Sequence, residues 1–277
     1  MRTCRFLLVA LAVFADAAHG EWRTIAPGLE IGTFAATQKS YIGKASITLV
    51  RIDPEHWDLE VVGLGWPGVT ESRTAKQWCE AHGFVAAINA GMFGQDRETH
   101  LGYLQSGGHV NNGHVNRYRS VAAFDPTEDG ARPAFRIFDL DTPGVVMKDI
   151  LRDYASVVQN LRLIKRPGAN RWGPNQKSWN EAALGEDSTG RVLFIYTGSP
   201  FTMYDLNNEL LALDIGIVAA QHLDGGPVAQ LYLQIGDVEL DWVGGHPAAV
   251  GNPLRVGDMP IPHVIGIRPK PPASGSQ

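Results

Sequence analysis

QHLDGGPVAQLY, residues 221–232, is the stretch from which most can be predicted about this chain. Two apolar segments, 216–220 and 228–233, flank a Gly-Gly-Pro turn, and Asp224 lies directly before that turn. Short apolar runs bounded by Gly and Pro are typical of β-strands, so the pattern predicts a carboxylate at the rim of a sheet. Glycine lets a ligand approach the main chain closely, although Asp, Gly and Pro are also ordinary turn residues.

A second stretch, AAINAGMF at residues 86–93, has the same character. The apolar run 84–88 predicts a buried strand that ends in Asn89 and a turn of small residues. A side-chain amide offers both donors and an acceptor. Asn89 is therefore predicted either to hold the turn or to bind a substrate hydroxyl or phosphoryl oxygen.

Strand-like segments dominate the rest of the chain. Further strands are predicted at 45–52, 59–63, 120–124, 133–138, 191–196, 216–223 and 264–267. Only two helices are predicted, 72/73–82 with Ser72 as a cap and 202–213 opened by Thr202. Because no regular βαβ rhythm appears, we predict an α+β fold: one domain over residues 22–268, with a mixed or antiparallel sheet and few helices.

The two ends of the chain have a different composition from its interior. Residues 1–20 combine Arg2 and Arg5, an apolar run at 6–14 and small residues at cleavage spacing, which predicts a secretory signal peptide. Residues 269–277 are rich in Pro and Ser and are predicted to be a disordered tail. Cleavage near Glu21 would leave Cys79 as the one cysteine, without a disulfide partner. We expect a secreted protein of a bacterial periplasm.

Charge and hydropathy restrict the partners of the mature chain. The formal net charge is −5 and the sequence pI is about 6.0. No block of basic residues is present, so nucleic acid is not an expected partner. No apolar run beyond the signal reaches membrane-spanning length, so no membrane span is expected after signal cleavage. The oligomeric state is not predicted by any feature of the sequence.

Several short segments, taken in order, resemble the phosphodiester glycosidase family. They run from about residue 46 to 269 and comprise Asn89-Ala90-Gly91-Met92-Phe93, Leu101-Gly102-Tyr103-Leu104, Ala182-Ala183-Leu184-Gly185, Phe201-Thr202-Met203-Tyr204-Asp205-Leu206 and Leu223-Asp224-Gly225-Gly226. The resemblance implies a hydrolase that releases a sugar from a phosphodiester or a glycan. Its expected partner is therefore a carbohydrate or sugar-phosphate substrate.

The chain departs from the family pattern at two informative positions. Glu181 stands where the family often has Arg, and His222 stands where it often has Asn. An arginine fork matches the geometry of a phosphate group, so its loss would weaken the grip on phosphate.

Cleavage at an anomeric carbon usually needs two carboxyl groups. The resemblance makes Asp224 the first of them, as nucleophile or general base. For the second carboxylate the candidates are Asp205, Glu209 and Glu181, of which Asp205 matches the family position best. His222 lies two residues before Asp224, so on a strand both side chains face one side, and His222 is predicted as a catalytic acid or orienting group.

Substrate contacts are expected from two groups of residues. The glycine-rich turns and a polar loop that contains His109, Asn111 and Asn116 supply the candidates, which are Asn89, Gly91, Gly225, Gly226, Asn112 and His114. Trp172 and Trp179 flank a long loop and could stack on sugar rings. No metal site or cofactor is predicted, because no zinc spacing appears; calcium held by Asp and Asn oxygens is the alternative, but it has no loop signature here.

Three functions remain open at the level of sequence. The first is a hydrolase that acts on cell-envelope or exopolysaccharide sugars. The second is a non-catalytic glycan-binding or polysaccharide-export accessory protein on the same fold. The third is a phosphohydrolase, for which a bound metal would be the signature. The hydrolase is favoured if one pocket brings together Asp224, His222, Asn89 and a second carboxylate.

Overall fold

The computed structural model describes residues 20–39, 44–128, 130–244 and 259–271 of the 277-residue chain. Within them lie seventeen strands, three α-helices and one 3₁₀ turn. All pairs between strands are antiparallel. The predicted α+β class is confirmed, in its antiparallel form.

The seventeen strands succeed one another along the described residues. They are β1 (Arg23–Ala26), β2 (Leu29–Lys39), β3 (Lys44–Ile52), β4 (Trp57–Gly63), β5 (Ala86–Asn89), β6 (Leu104–Ser106), β7 (His109–Asn112), β8 (Ser120–Pro126), β9 (Phe135–Asp139), β10 (Tyr154–Lys165), β11 (Ala169–Asn170), β12 (Trp179–Asp187), β13 (Val192–Phe201), β14 (Ile217–Gly225), β15 (Gln230–Ile235), β16 (Val238–Val243) and β17 (His263–Pro269).

The strands form two sheets. The larger has twelve strands in the order β1-β2-β3-β13-β12-β14-β10-β6-β7, with β8 and β11 also pairing with β10, and β9 with β8. The smaller has five strands in the order β16-β15-β5-β17-β4. Strand β14 belongs to the larger sheet and β15 to the smaller one, so the Gly-Gly-Pro turn is where the chain crosses between sheets.

The two sheets pack face to face around the main core. That core takes alternate residues from both sheets, such as Val50 and Phe194 from the larger and Ile88 and Leu231 from the smaller. Period-two alternation of strand side chains places the intervening residues on the outer faces.

Helices cover both outer faces. The helix α3 (Met203–Ala212) packs Leu206 and Leu210 on the larger sheet, and α1 (Ala75–His82) packs Trp78 and the buried thiol of Cys79 on the smaller one. A third helix, α2 (Met147–Asp153), packs Ile150 beside β8 and β10. Among the described residues, none of the helices has the length and apolar character needed to cross a membrane.

The predicted helices differ from the observed ones in instructive ways. Thr202 caps α3 as predicted, with its Oγ1 accepting from the Asp205 N–H at 3.1 Å. The predicted Ser72 cap of α1 is wrong, because Thr74 accepts from the Gln77 N–H and the Gln77 side chain accepts from the Thr74 N–H. This reciprocal capping box satisfies two otherwise unpaired donors at the helix start.

The seven strand segments predicted above, and the predicted strand over 84–88, all contribute to observed strands. Among the strands not predicted are β10 and β12, which carry central pairings of the larger sheet. Residues 1–19 of the signal predicted at 1–20 lie outside the described residues, as do residues 272–277 of the predicted tail. Pro269, which the prediction placed at the start of that tail, is the last residue of β17.

Candidate active site

A β-bulge sets the geometry at the end of β14. Ala182 of β12 is opposite Asp224, and Ala183 is opposite His222, so Leu223 is the extra residue of the bulge. Leu223 packs into the core between the sheets, whereas Ala183 packs into the core beneath α3. The bulge bends the end of β14 where it leaves the sheet, a common arrangement beside functional sites.

His222 and Asp224 line one open depression on the surface. Its volume is about 330 Å³, and its walls are Trp179, His222, Asp224, Gly225 and Gly226. The prediction that positions 222 and 224 share a face is therefore confirmed. Asp224 keeps part of its surface accessible from this depression, while His222 is 4% exposed.

Glu181 is the second carboxylate at this place. It is buried on β12, and its Oε1 atom forms a hydrogen bond with Nδ1 of His222. Its other oxygen, Oε2, accepts from Nε1 of Trp179 at 2.8 Å. Both oxygens are thus engaged, and Glu181 fixes the orientation of the imidazole and of the indole that walls the depression.

The charge of Glu181 controls the protonation of His222. Burial by itself lowers the pKa of His222, but the nearby Glu181 carboxylate and its hydrogen bond outweigh burial, and Asp224 adds to their effect. The pKa of His222 therefore lies above its usual 6.5. A buried imidazolium is accordingly held between two acidic groups, which is the opposite-charge case of pKa perturbation.

Asp224 is perturbed in the direction that suits proton transfer. Burial raises its pKa from the ordinary 3.8 to about 7, with a further contribution from the charge of Glu181. The charge of His222 and a hydrogen bond from the Gly225 N–H, 2.8 Å to Oδ1, act in the opposite direction. A carboxyl group with a pKa near 7 can both donate and accept a proton at neutral pH. The structure thus favours an acid/base role for Asp224 over a permanently ionised nucleophile.

The two glycines after Asp224 meet different requirements. A Cβ atom on Gly225 would lie 2.3 Å from Cδ1 of Trp179, so only glycine lets the indole close against the strand. Gly226 has a φ of +68° and opens the 3₁₀ turn Gly226–Val228, with no atom within 4 Å of where its Cβ would be. Gly225 is therefore needed for close approach and Gly226 for backbone conformation.

Asn89 holds the segment that follows this turn. Its Nδ2 donates to the Val228 carbonyl at 2.8 Å, and its Oδ1 accepts from the Gln230 N–H at 2.7 Å. The side chain is 1% exposed. Of the two roles predicted for Asn89, the structure shows the one that holds a turn, and it places the amide against backbone instead of in the depression.

Three other predicted substrate contacts lie in a separate polar region. Gly91 packs against buried side chains, since a Cβ there would be 2.3 Å from both Asn160 Oδ1 and His100 Nε2. Nδ2 of Asn112 donates to the His100 carbonyl at 2.7 Å, and its Oδ1 accepts from the backbone N–H of the exposed His114 at 2.9 Å. None of Gly91, Asn112 and His114 lines the depression beside Asp224.

Asp205 is also outside the depression. Its Oδ2 accepts from the Thr202 hydroxyl at 2.6 Å in the first turn of α3, where a carboxylate stabilises the positive end of the helix dipole. Glu209, on the same helix, accepts from the Thr37 N–H at 2.9 Å. Of the three candidates for a second carboxylate, Glu181 is therefore the one that the fold brings to Asp224, whereas Asp205 is paired with the capping residue Thr202.

One feature of the sequence points to Glu181 as a site residue. Trp179 and Glu181 alternate on β12, directly before the small residues of Ala182-Ala183-Leu184-Gly185. Because no strand was predicted over β12, the face that Trp179 and Glu181 share with His222 and Asp224 could not be inferred. Within the described part of the chain, no group of three or more His, Cys, Asp or Glu residues is arranged to hold a metal ion.

These features define an antiparallel two-sheet protein with a carboxylate–histidine–carboxylate site open to solvent. The chain belongs to the phosphodiester glycosidase family, whose model matches residues 82–268 and so includes the whole site. The resemblance proposed from the sequence is confirmed. No curated protein sequence matches the chain.

Two solved structures show the same fold. One is the catalytic domain of zebrafish N-acetylglucosamine-1-phosphodiester alpha-N-acetylglucosaminidase, auto-inhibited by its pro-peptide. It aligns with a TM-score of 0.64 and 15% identity over 91% of this chain and 89% of that one. The other is a hypothetical protein from Synechocystis, with a TM-score of 0.58 and 14% identity over 92% of this chain and 65% of that one. At these identities the similarity concerns the fold alone.

Proposed function

We propose that this protein is a hydrolase that cleaves the bond between an anomeric carbon and oxygen in a glycan or sugar phosphodiester. The observation that carries the proposal is the placement of Asp224, with a pKa of about 7, beside the Glu181–His222 pair at the rim of an open depression. Membership of the phosphodiester glycosidase family supports the same class of reaction.

In the proposed mechanism Asp224 supplies the proton that the leaving oxygen needs. As the bond to the anomeric carbon breaks, the carboxyl proton moves to that oxygen and positive charge develops on the sugar. A water molecule then gives its hydroxyl group to the anomeric carbon, and its remaining proton restores the carboxyl group of Asp224. The reaction thus consumes one water and leaves the enzyme unchanged.

His222 and Glu181 stabilise the intermediate charge states. When Asp224 has lost its proton, the imidazolium of His222 lies close enough to stabilise the new carboxylate, and Glu181 keeps that imidazolium charged. Preorganised charges of this kind cost no reorganisation when the reaction takes place. The indole of Trp179, held by Glu181, gives the sugar an apolar wall on which to stack.

We propose further that the substrate is a cell-envelope or exopolysaccharide sugar outside the bacterial cytoplasm. The support for this is the basic start and apolar run of residues 1–20, which are typical of a secretory signal. The buried Glu181–His222 pair favours an enzyme over the accessory-protein alternative, because binding a neutral sugar needs no titrating pair.

The test is release of a reporter from an α-linked N-acetylglucosamine-1-phosphodiester and from simple aryl glycosides. Asp224→Asn, which keeps the size of the side chain, should lower turnover by about 10²-fold or more. Asp237→Asn, at an exposed position away from the depression, is the matched control and should leave turnover unchanged. Parallel assays with a chelator test the calcium alternative. Equal turnover in Asp224→Asn and wild type would refute the assignment.

A further inference from the structure

A second surface cleft concentrates positive charge. Its volume is about 310 Å³, and its walls include four arginines and a tryptophan, which are Arg117, Arg119, Arg162, Arg171 and Trp172. No carboxylate side chain lines it. Such a cluster is unexpected on a chain whose formal net charge is −5.

Two of these arginines are neutralised by neighbours. Nη1 of Arg162 donates to Asp139 at 2.9 Å and to Asp141 at 2.7 Å, while Nε of Arg119 lies 3.4 Å from Asp141. These contacts fix the two arginines and leave little of the charge of Arg162 for a ligand.

The other two arginines have no such compensation. Within the described ranges, no ion pair joins Arg117 or Arg171 to a carboxylate, and both residues are exposed. Two arginines without an ion-pair partner in the described part of the chain therefore line the same cleft. A planar guanidinium has a fork of donors that matches the two oxygens of a carboxylate or phosphate.

Trp172, which also lines the cleft, is held in place by two hydrogen bonds. Its Nε1 donates to the Arg162 carbonyl at 2.8 Å, and its backbone N–H donates to Oδ1 of Asn170 at 3.0 Å. The indole is thus fixed at the edge of the cleft and keeps part of its surface accessible. An aromatic surface next to cationic donors suits a ligand that combines an apolar sugar face with an anionic substituent.

The cleft begins one strand away from the catalytic depression. Leu161 of β10, which lines the cleft, is directly opposite His222 of β14, which lines the depression. Opposed residues of an antiparallel pair share a face, with Cα atoms roughly 5 Å apart. A saccharide of more than one unit is therefore well placed to reach from one to the other.

We propose that this cleft is an anion-binding subsite for the substrate, in which Arg117 and Arg171 bind a carboxylate or phosphate group on a sugar neighbouring the one whose bond is cut. The inference rests on the proposed function only in taking the anion to be part of the substrate. Because the catalytic depression has no Arg or Lys in its walls, the anionic group is recognised beside the reacting bond instead of at it.

The test is a binding measurement that needs no turnover. Isothermal titration calorimetry at low ionic strength would compare trigalacturonate and glucose 6-phosphate with the uncharged maltotriose. The variant is Arg117→Gln/Arg171→Gln. The matched control is Arg132→Gln/Arg152→Gln, which removes the same charge from two exposed arginines that pair with Asp153 at the end of α2 and do not line the cleft.

We expect at least one anion to bind with an affinity about 10-fold or more above that of maltotriose. Its affinity should fall about 10-fold or more in the Arg117/Arg171 variant and should be unchanged in the control variant. Binding of trigalacturonate alone would identify the recognised group as a carboxylate. Binding of glucose 6-phosphate alone would identify it as a phosphate. Absence of saturable anion binding, or equal losses in both double variants, would overturn the proposal. Arginine-dependent binding without hydrolysis would refute the proposed function and leave the proposed subsite standing. Hydrolysis without arginine-dependent binding would refute the subsite and leave the proposed function standing.

Discussion

His222 forms a hydrogen bond through Nδ1 with Glu181, a residue 41 positions earlier in the chain, and this pair lies behind the accessible Asp224. The contact joins two neighbouring strands and places an imidazolium between two acidic side chains. Burial, with a further contribution from the charge of Glu181, raises the pKa of Asp224 to about 7, and the charge of His222 acts in the opposite direction.

Asp224 should reduce the stability of the folded protein as the pH rises. Its pKa is about 7 in the folded state and 3.8 ordinarily, so the folded state binds the proton more tightly. Stability should therefore be lost as the pH rises from about 4 to about 7, by roughly 2–4 kcal/mol. Urea denaturation at several pH values would show this loss in the wild type. In Asp224→Asn, which cannot ionise at this position, that contribution should be absent, so stability should fall less between pH 4 and pH 7 than in the wild type. Identical pH dependence of stability in both proteins would contradict the prediction.

Glu181→Gln should lower the pKa of His222. The carboxylate is what holds that pKa above 6.5, and burial, which remains in the variant, acts in the opposite direction. Titration of the imidazole by NMR should show the pKa of His222 falling below its usual value. Turnover at pH 7 should fall about 10-fold or more, since an uncharged imidazole no longer stabilises ionised Asp224. Glu209→Gln, on α3 outside the depression, is the comparison, and its His222 should titrate as in the wild type.

Asn89→Ala should destabilise the fold as well as the site. The substitution removes both partners of buried backbone groups at Val228 and Gln230. Each buried group left without a partner costs about 1–3 kcal/mol, so a loss of roughly 2–5 kcal/mol in the free energy of unfolding is expected. Asn175→Ala, in which an exposed amide is removed, should cost less than ~0.5 kcal/mol. A loss at Asn89 no larger than at Asn175 would argue against its bracing role.

Gly225→Ala and Gly226→Ala should have unequal effects. At Gly225 the new methyl group would collide with Trp179, so the indole must leave its contact with Glu181. Turnover should fall strongly, and the tryptophan fluorescence should change. At Gly226 there is space, and the cost is the positive φ alone, about 1 kcal/mol. Kinetic assays of the two variants side by side would check that Gly225→Ala loses more turnover than Gly226→Ala. A larger loss in Gly226→Ala would contradict the prediction.

Much of the site could be predicted from the sequence because it is local. The acid at Asp224, the glycines after it and the shared face of positions 222 and 224 follow from strand periodicity and turn chemistry within a few residues. The Thr202 cap of α3 is of the same kind. The cap at Thr74 is local as well, since Thr74 and Gln77 have the spacing of a capping box; the prediction of Ser72 did not take that spacing into account.

Non-local pairing decided the rest. Asp205 matches the motif position better than Glu181, but its carboxylate accepts from the Thr202 hydroxyl in the first turn of α3, outside the depression. Glu181 joins the site because β12 lies beside β14 with a bulge at Leu223. Neither the neighbour of a strand nor a one-residue shift of register can be read from one chain segment alone.

The sequence by itself determined the α+β class, the phosphodiester glycosidase family and the placement of an acid before a Gly-Gly-Pro turn, since each depends on residue order and short-range periodicity. Only the tertiary structure decided that Glu181 charges His222, that Asn89 braces the turn, and that four arginines gather beside Leu161. The physical reason is that burial and charge act through space. They perturb Asp224 only once strands far apart in the chain have been paired.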